Sequence, residues 1–157
     1  MRLAFFAIAA LILASTLPGA GADLIGHPSV IDGDTIELHG TRIRLFGIDA
    51  PESRQSCSDA VGHSYRCGQK AAFALADHID GGAVSCDPRD IDHYGRTVAV
   101  CYLGYEDLNA WMVAQGWALA YRRYSTDYVP QEDAAHAAQL GIWAGSFVPP
   151  WDWRKLH

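Results

Sequence analysis

Three short strand-like runs, separated by two turns, occupy residues 29–48 and restrict the possible fold more than any other part of the chain. Asp32-Gly33-Asp34 has the composition of a tight turn, and His39-Gly40 is a hairpin signal. Between these turns, residues 35–38 alternate polar and apolar side chains, which is typical of a strand with one buried face. Gly47 interrupts the alternation of the last run and predicts a bulge there. The sequence therefore predicts consecutive strands at 29–32, 35–38 and 41–48.

The remainder of the chain contains helical patterns and two further strand-like runs. Each helical segment is followed by a glycine that favours the end of a helix. The predicted elements are helices at 69–79, 106–115 and 130–140, strands at 83–87 and 97–103, a turn-rich connection at 88–95 and a Pro/Trp tail at 147–153. The order of three strands, a helix, two strands and two helices matches a five-stranded Greek-key barrel of the OB type with about three α-helices. No repeat or linker divides the chain.

The first 22 residues have the three parts of a secretory signal peptide. Arg2 supplies the charge, residues 3–17 are almost entirely apolar, and Ala20-Gly21-Ala22 is a small-residue cleavage site. The alternative is a membrane anchor, but the apolar run of about 15 residues is short of the roughly 20 that span a bilayer. We therefore expect export to the periplasm or beyond, with residues 23–157 forming one domain. In its mature form this domain is expected to be a monomer with no membrane segment.

Four cysteines, an even number, favour disulfides in an exported protein. Three pairings are possible. Cys86 and Cys101 lie symmetrically about a turn and can face each other across a hairpin, which leaves Cys57 and Cys67 to close a short loop. The rival interpretation is a zinc site, but the spacings include no Cys-x-x-Cys and no paired histidines at ligand spacing.

The charge of the chain limits how it can bind nucleic acid. It has 12 Lys and Arg residues against 18 Asp and Glu residues, a net charge of −6. Such acidity argues against tight binding of nucleic acid through a broad basic surface. A small positive site that acts on phosphates transiently is still compatible with this composition.

Acidic residues are concentrated at the two ends of the segment 32–52. Asp34 follows a turn glycine and Asp49 ends a strand, so both can project from the rim of a barrel. Hard divalent cations prefer oxygen ligands, and the backbone carbonyl of Ala50 is a third candidate ligand. Glu52 is a candidate general base for a water molecule. Considered singly, each acid is equally consistent with turn chemistry or a solvated loop.

Two arginines change the interpretation of these acids. Arg44 lies within one strand of Asp49, and Arg96 begins the strand expected to neighbour it. Two guanidinium groups facing a metal ion would hold a phosphodiester and stabilise the negative charge that develops on its oxygens. The ordinary alternative for each arginine is a surface ion pair. Tyr121 and Tyr124 are candidates for stacking a base near this site.

These segments resemble the thermonuclease, or staphylococcal-nuclease-like, family. The resemblance is carried by Asp32-Gly33-Asp34-Thr35, by Arg44-Leu45-Phe46-Gly47-Ile48-Asp49-Ala50-Pro51-Glu52 and by Asp92-His93-Tyr94-Gly95-Arg96. Residues 109–116 resemble the next helix and turn of the family, and residues 140–143 resemble the end of its last helix. The resemblance implies an OB-fold phosphodiesterase that requires Ca²⁺ and cuts DNA and RNA to products with a 3′-phosphate.

The resemblance also implies roles for individual residues. Asp34 and Asp49 correspond to calcium carboxylates, and the carbonyl of Ala50, where a threonine is common, corresponds to a further ligand. Glu52 corresponds to the residue that activates or orients the attacking water. Arg44 and Arg96 correspond to the pair that binds the phosphate, and Asp32 lies beside the metal ligands.

Two other classes of function are compatible with the same fold. One is a non-catalytic OB module that binds nucleic acid or protein, because such folds can lose catalysis and keep the barrel. The other is a secreted structural or inhibitor-like domain held by disulfides. The complete set of acids and arginines favours the nuclease over both.

Overall fold

The computed structural model describes residues 24–157, so the predicted signal peptide at 1–22 lies outside the described residues. No helix within the described range is long and apolar enough to cross a bilayer. The strands are β1 (Ile25–Gly26), β2 (Ser29–Asp32), β3 (Thr35–Leu38), β4 (Thr41–Leu45), β5 (Ile48–Asp49), β6 (Cys57–Ser58), β7 (Ser64–Tyr65), β8 (Val84–Ile91), β9 (Thr97–Leu103), β10 (Glu106–Asp107) and β11 (Leu119–Ala120). The helices are α1 (Cys67–Ile79), α2 (Leu108–Ala114), α3 (Val129–Ala137) and α4 (Pro150–Leu156), with a 3₁₀ turn at Gly141–Ala144.

The main sheet curls so that its two end strands, β1 and β2, come from neighbouring parts of the chain. Its order is β1-β8-β9-β4-β3-β2, with β10 beside β9. The contact between β4 and β9 is parallel, and the other pairs in the sheet are antiparallel. β1 and β2 lie at opposite ends of this order although only residues 27 and 28 separate them in the chain. One N-terminal segment therefore spans both ends of the sheet, which confirms the OB-type, mixed α and β fold class.

The alternation predicted for the first strands sets the core. Ile36 and Leu38 of β3 are fully buried, as are Ile43 and Leu45 of β4, and α1 packs against this face through Leu75. Each such side chain contributes about 1.5–3 kcal/mol by leaving water. The opposite face of β4 is therefore left for its arginines, and it is this face that forms the rim of the cleft.

The third predicted strand is interrupted. β4 ends at Leu45, and Phe46-Gly47 forms a turn in which Gly47 has a φ of +71°. β5 then pairs with β11 in a separate two-stranded sheet. The predicted strand at 41–48, with a bulge at Gly47, is instead two separate strands, because a left-handed residue ends the ladder and redirects the chain.

The fourth strand is longer than predicted. β8 continues to Ile91, through the segment expected to be a turn-rich connection. Pro88 is tolerated because β1 covers β8 only at Val84 and Ser85, so the rest of β8 is an edge strand. The ladder with β9 shifts register between Pro88 and Asp90.

The C-terminal tail contains a helix that was not predicted. α4 occupies most of the segment expected to be an irregular Pro/Trp tail. The signals for it are present: Pro150 is at the start, Asp152 is in the first turn, and Arg154 and Lys155 are in the last turn. Residues 24–157 thus contain four α-helices rather than about three.

Two disulfides join the cysteines in the pairs that the sequence favoured. Cys86 and Cys101 face each other in the ladder between β8 and β9 and are bonded. Cys57 is bonded to Cys67, which ties the β6–β7 loop to the first residue of α1. No free cysteine remains within residues 24–157.

Candidate active site

Arg44 joins the two candidate metal carboxylates. It lies opposite Thr35 in the β3–β4 ladder, beside the turn that carries Asp34. Its Nη1 donates to Asp34 Oδ1 at 2.6 Å and its Nη2 donates to Asp49 Oδ1 at 2.8 Å. The Arg44 side chain is only 17% exposed. A planar guanidinium with several fixed donors can bridge two carboxylates in this way, so it fixes their separation.

The turn at Gly47 brings Asp49 and Ala50 to the same place. Asp49 has no exposed surface, and burial raises the pKa of its carboxyl, opposed by the hydrogen bond from Arg154. Ala50 donates its backbone N–H to Asp34 Oδ2 at 2.9 Å. This contact ties the Asp49–Ala50 peptide to the candidate ligand Asp34, and the predicted carbonyl ligand belongs to the next peptide, Ala50–Pro51.

Arg154 is the site residue that the sequence did not reveal. Its Nη1 donates to Asp49 Oδ1 at 3.0 Å and to Glu52 Oε1 at 2.6 Å, and its Nη2 donates to Asp49 Oδ2 at 2.8 Å. These contacts span 105 residues to Asp49 and 102 residues to Glu52. The basic end of a C-terminal helix was the only sequence signal, and it does not identify a partner so far away in the chain.

Arg96 reaches the cleft from the turn between β8 and β9. Its backbone N–H and its Nε both donate to Asp92, at 2.9 Å and 2.7 Å. Although burial acts to raise the pKa of Asp92, the donors of Arg96 lower it overall. The Arg96 guanidinium also lies 5.4 Å from the ring centre of Tyr94. Asp92 therefore holds Arg96 through the Nε edge of its guanidinium. Among residues 24–157, no hydrogen bond or ion pair joins Arg96 to Asp34, Asp49 or Glu52.

A single cleft of about 720 Å³ contains all the predicted site residues except Asp49, which lies buried in its wall behind Arg44 and Arg154. Tyr121 and Tyr124 are also part of its lining. Tyr124 is exposed and meets Tyr121 edge to face, whereas the Tyr121 ring lies parallel to Trp151 of α4. The structure thus places both tyrosines at the cleft, with one face of Tyr121 turned to the C-terminal helix.

Asp32 is a half-buried acid immediately beside Asp34. Its side chain accepts the backbone N–H of Asp34 at 3.2 Å. Burial, followed by the charge of Asp34, raises the pKa of Asp32 to about 7. The native protein therefore holds a proton on Asp32 at pH values where the unfolded chain has lost it.

Asp32→Asn is expected to flatten the dependence of stability on pH in the presence of a chelator. Because the native pKa is raised, the stability contributed by protonated Asp32 is complete below about pH 4 and is lost as pH rises through about 7. The loss is on the order of 2–4 kcal/mol. Asparagine stays neutral and keeps an acceptor for the N–H of Asp34. Urea unfolding at about pH 4 and about pH 8 measures the effect.

Asp77 on α1 provides the matched control, because Asp77→Asn removes a carboxylate that is exposed to solvent. Its profile should follow that of the wild type. Parallel profiles for wild type and Asp32→Asn would show that Asp32 ionises normally in the native protein.

The donor set at this rim suits a hard divalent cation. Asp34 and Asp49 offer carboxylate oxygens. Three carboxylates contact the guanidinium groups of Arg44 and Arg154, which leaves one negative charge uncompensated. Asp32 adds a second uncompensated negative charge at pH values above its pKa. Within residues 24–157, no three His, Cys, Asp or Glu side chains form a metal cage. Two carboxylates, a carbonyl and water can still satisfy Ca²⁺, which accepts such mixed oxygen ligands.

Similarity to known proteins agrees with this arrangement. Residues 42–145 match the family model described as staphylococcal nuclease homologue. The chain is 37% identical over 143 residues to the succinoglycan biosynthesis protein ExoI of Rhizobium meliloti, covering 87% of this chain and 73% of that protein. It is 35% identical over 168 residues to protein ParB of Escherichia coli, with coverage of 95% and 88%. It is 34% identical over 166 residues to the micrococcal nuclease of Shigella flexneri, with coverage of 94% and 89%.

The range matched by the family model includes Arg44, Asp49, Glu52 and Arg96. It ends before α4, so Arg154 lies beyond it. The helix that contacts the acids is therefore outside the part of the chain that defines the match.

Proposed function

The chain belongs to the staphylococcal nuclease homologue family, and from this we propose that it is an exported, calcium-dependent nuclease acting on DNA and RNA. Family membership and the similarity to a micrococcal nuclease support hydrolysis of nucleic acid. The observation that carries the proposal is the Arg44 guanidinium, which bridges Asp34 and Asp49 in a cleft also lined by Glu52 and Arg96.

The arginines suit the binding of a phosphodiester. Arg44 and Arg96 approach the cleft from β4 and from the start of β9, so a phosphate placed between them would contact both. Guanidinium groups fixed by Asp34, Asp49 and Asp92 need no reorganisation as negative charge builds on the phosphoryl oxygens. Such preorganised donors favour the transition state over the bound substrate.

Glu52 suits the handling of the attacking water. In the proposed reaction Glu52 takes a proton from a water molecule, the water oxygen bonds to phosphorus and the bond from phosphorus to the 5′-oxygen breaks. The 5′-oxygen leaves and takes a proton from solvent water, to which Glu52 returns the proton that it accepted, and the phosphate stays on the 3′ side. A general base of this kind contributes about 10²–10⁴-fold to the rate.

Asp34, Asp49 and the carbonyl of Ala50 are the groups that would hold Ca²⁺. When bound there, calcium would supply Lewis-acid polarisation of the phosphoryl group and offset its developing negative charge. Arg44 keeps the two carboxylates in place for this purpose through its two hydrogen bonds.

Tyr121 and Tyr124 are proposed to contact the substrate, because both line the cleft. The exposed ring of Tyr124 suits stacking on a base. The net charge of −6 means that substrate is held by this local site rather than by the general surface. Support for export comes from the signal-like segment at 1–22 and from the two disulfides.

Removal of calcium is expected to abolish most of the activity. With single-stranded DNA as substrate, turnover in a chelator should fall by at least about 10²-fold and return when calcium is added in excess. Release of acid-soluble nucleotides measures the rate, and end-labelling of the products identifies the 3′-phosphate.

Glu52→Gln, purified in parallel, controls for contaminating nuclease. It preserves the shape of the side chain but cannot accept the proton, so its turnover should fall by at least about 10²-fold. Activity that persists in the chelator and disappears in this variant would rule out the calcium requirement and still support nuclease activity. Binding of DNA with no cleavage under either condition would favour a non-catalytic module.

A further inference from the structure

The carboxylates that suit a metal ion are occupied by a cation of the chain itself. Both oxygens of Asp49 accept hydrogen bonds from Arg154, at 3.0 Å and 2.8 Å, and Glu52 accepts a third at 2.6 Å. Asp49 has no exposed surface, so a metal ion reaches it only from the cleft side, where this guanidinium lies. Full use of Asp49 by a metal therefore requires Arg154 to move.

The helix that carries Arg154 packs on the body before that residue and is exposed to solvent after it. Pro150 is buried, Trp151 lies parallel to Tyr121, and the fully buried Gln55 donates to the carbonyl of Val148 at 2.6 Å. After Arg154 the chain is exposed, with Leu156 72% exposed. α4 has only seven residues, and helices this short depend on their tertiary contacts.

With contacts distributed in this way, release of the Arg154 side chain and undocking of α4 are separate movements. The last turn of α4 can open while Trp151 stays in place, so release of Arg154 does not require the tail to leave the body. The Arg154 side chain is 38% exposed, so it can turn from the acids into water. Moving a single exposed guanidinium is a small rearrangement compared with undocking a helix.

We propose that Arg154 is a built-in competitor of the divalent cation, which holds Asp49 and Glu52 in the metal-free protein and is displaced when the cation binds. The inference rests on the proposed calcium site and adds a residue outside the range that matches the family model. Its guanidinium keeps the buried Asp49 paired when no metal is present, which avoids the cost of an uncompensated buried charge. Arg154 lines the same cleft as Arg44 and Arg96, the residues proposed to bind the phosphate.

The competition has a quantitative consequence. A ligand that binds only one of two conformers has its dissociation constant raised by the inverse of that conformer's population. If Arg154 is docked on Asp49 about nine-tenths of the time, the apparent dissociation constant for calcium is raised about tenfold. Removing the guanidinium should remove this penalty.

Arg154→Met tests the proposal by calcium binding alone, without an activity measurement. Isothermal titration of the full-length mature protein with calcium chloride, after removal of metal with a chelator, should give a dissociation constant about tenfold lower than that of the wild type. Lys155→Met is the matched control, because it removes the same charge from the same helix but Lys155 pairs with Asp152 instead of the acids of the cleft. Its dissociation constant should stay within about twofold of the wild type.

Thermal unfolding provides a second readout. In chelator Arg154→Met should unfold at a lower temperature than the wild type. The buried Asp49 carboxylate would lose the hydrogen bonds from Arg154 and retain the one from Arg44. Added calcium should then raise the unfolding temperature more in the variant than in the wild type, since tighter binding to the native state stabilises it more. Arg154→Gln, which keeps polar donors on an uncharged side chain, should behave like Arg154→Met.

The outcomes separate this inference from the proposed function. Equal calcium affinity in the wild type and both Arg154 variants would overturn the competition and leave the calcium site intact. Weaker binding in the variants would also overturn it, because Arg154 would then be positioning the ligands. Calcium binding by neither the wild type nor the variants would reject the calcium site and the competition with it.

Discussion

Arg44→Lys is expected to lower kcat for DNA hydrolysis by about 10³-fold while the protein remains folded. Arg44 uses two different nitrogens to hold Asp34 and Asp49, 2.6 Å and 2.8 Å away. A lysine ammonium is a single point charge, so it cannot reproduce the bridge between two carboxylates or the two-point contact with a phosphate. The positive charge is retained, however, so the buried acids are still compensated.

Arg42→Lys is the control for this variant. Arg42 is on the same strand and the same face as Arg44, but its side chain is 64% exposed and lies 3.8 Å from Glu37. An exposed pair of this kind contributes little, so Arg42→Lys should retain kcat within about twofold. Stopped-time assays at saturating substrate, with circular dichroism to verify folding, compare the two variants.

Arg44→Met separates the structural role of the guanidinium from its catalytic role. This variant leaves Asp34 and Asp49 without the charge that joins them, and breaking a buried pair in this way costs about 3–5 kcal/mol. The lysine variant should be clearly more stable than the methionine variant and nearly as inactive. Retention of more than about a tenth of wild-type kcat in Arg44→Lys would mean that the bridge is structural only.

The barrel could be predicted because its signals are local. The run 97–103 was predicted with the bounds that β9 has, and the alternation in β3 and β4 gave the correct buried faces. The pair Cys86 and Cys101 followed from symmetry about a turn, since residues opposite each other in a hairpin are fixed by its register. These features depend on neighbouring residues in the chain.

The features that were missed depend on distant contacts. α4 begins at the second of two consecutive prolines and is short, and it is stable because Trp151 and Pro150 pack on the body. Arg154 reaches Asp49 because the segment before α4 is tied to the body, where Ser146 and Ser58 pair their backbones and Gln55 donates to the carbonyl of Val148. No periodicity within α4 contains that information. The charges at its last turn could have indicated the helix, but not what those charges contact.

The start of α1 shows the same limit at a smaller scale. The helix was predicted from residue 69, yet it begins at Cys67. Gly68 is a poor helix former, so local propensity argues against including it. The disulfide at Cys67 and the close approach of Gly68 to Glu52 override that preference.

Gly68→Ala is expected to lower the free energy of unfolding by about 3 kcal/mol, the upper part of the range for overpacking. A Cβ on Gly68 would lie 1.8 Å from the carbonyl oxygen of Glu52 and 2.5 Å from its carbonyl carbon. Both atoms belong to the backbone, so no side-chain rotation relieves the overlap. The Cys57–Cys67 disulfide holds the start of α1, so the segment that carries Glu52 must move.

Displacement of the segment that carries Glu52 should lower kcat as well as the free energy of unfolding. Glu52 is the candidate base, and a movement of about 1 Å in a catalytic group can cost about 10²-fold in rate. Urea unfolding and kcat at low temperature, where the variant is still folded, measure the two effects separately. Gln69→Ala, at the next and exposed position of α1, should leave both nearly unchanged because it adds no atom near the loop. A stable Gly68→Ala protein with normal kcat would show that α1 does not set the position of Glu52.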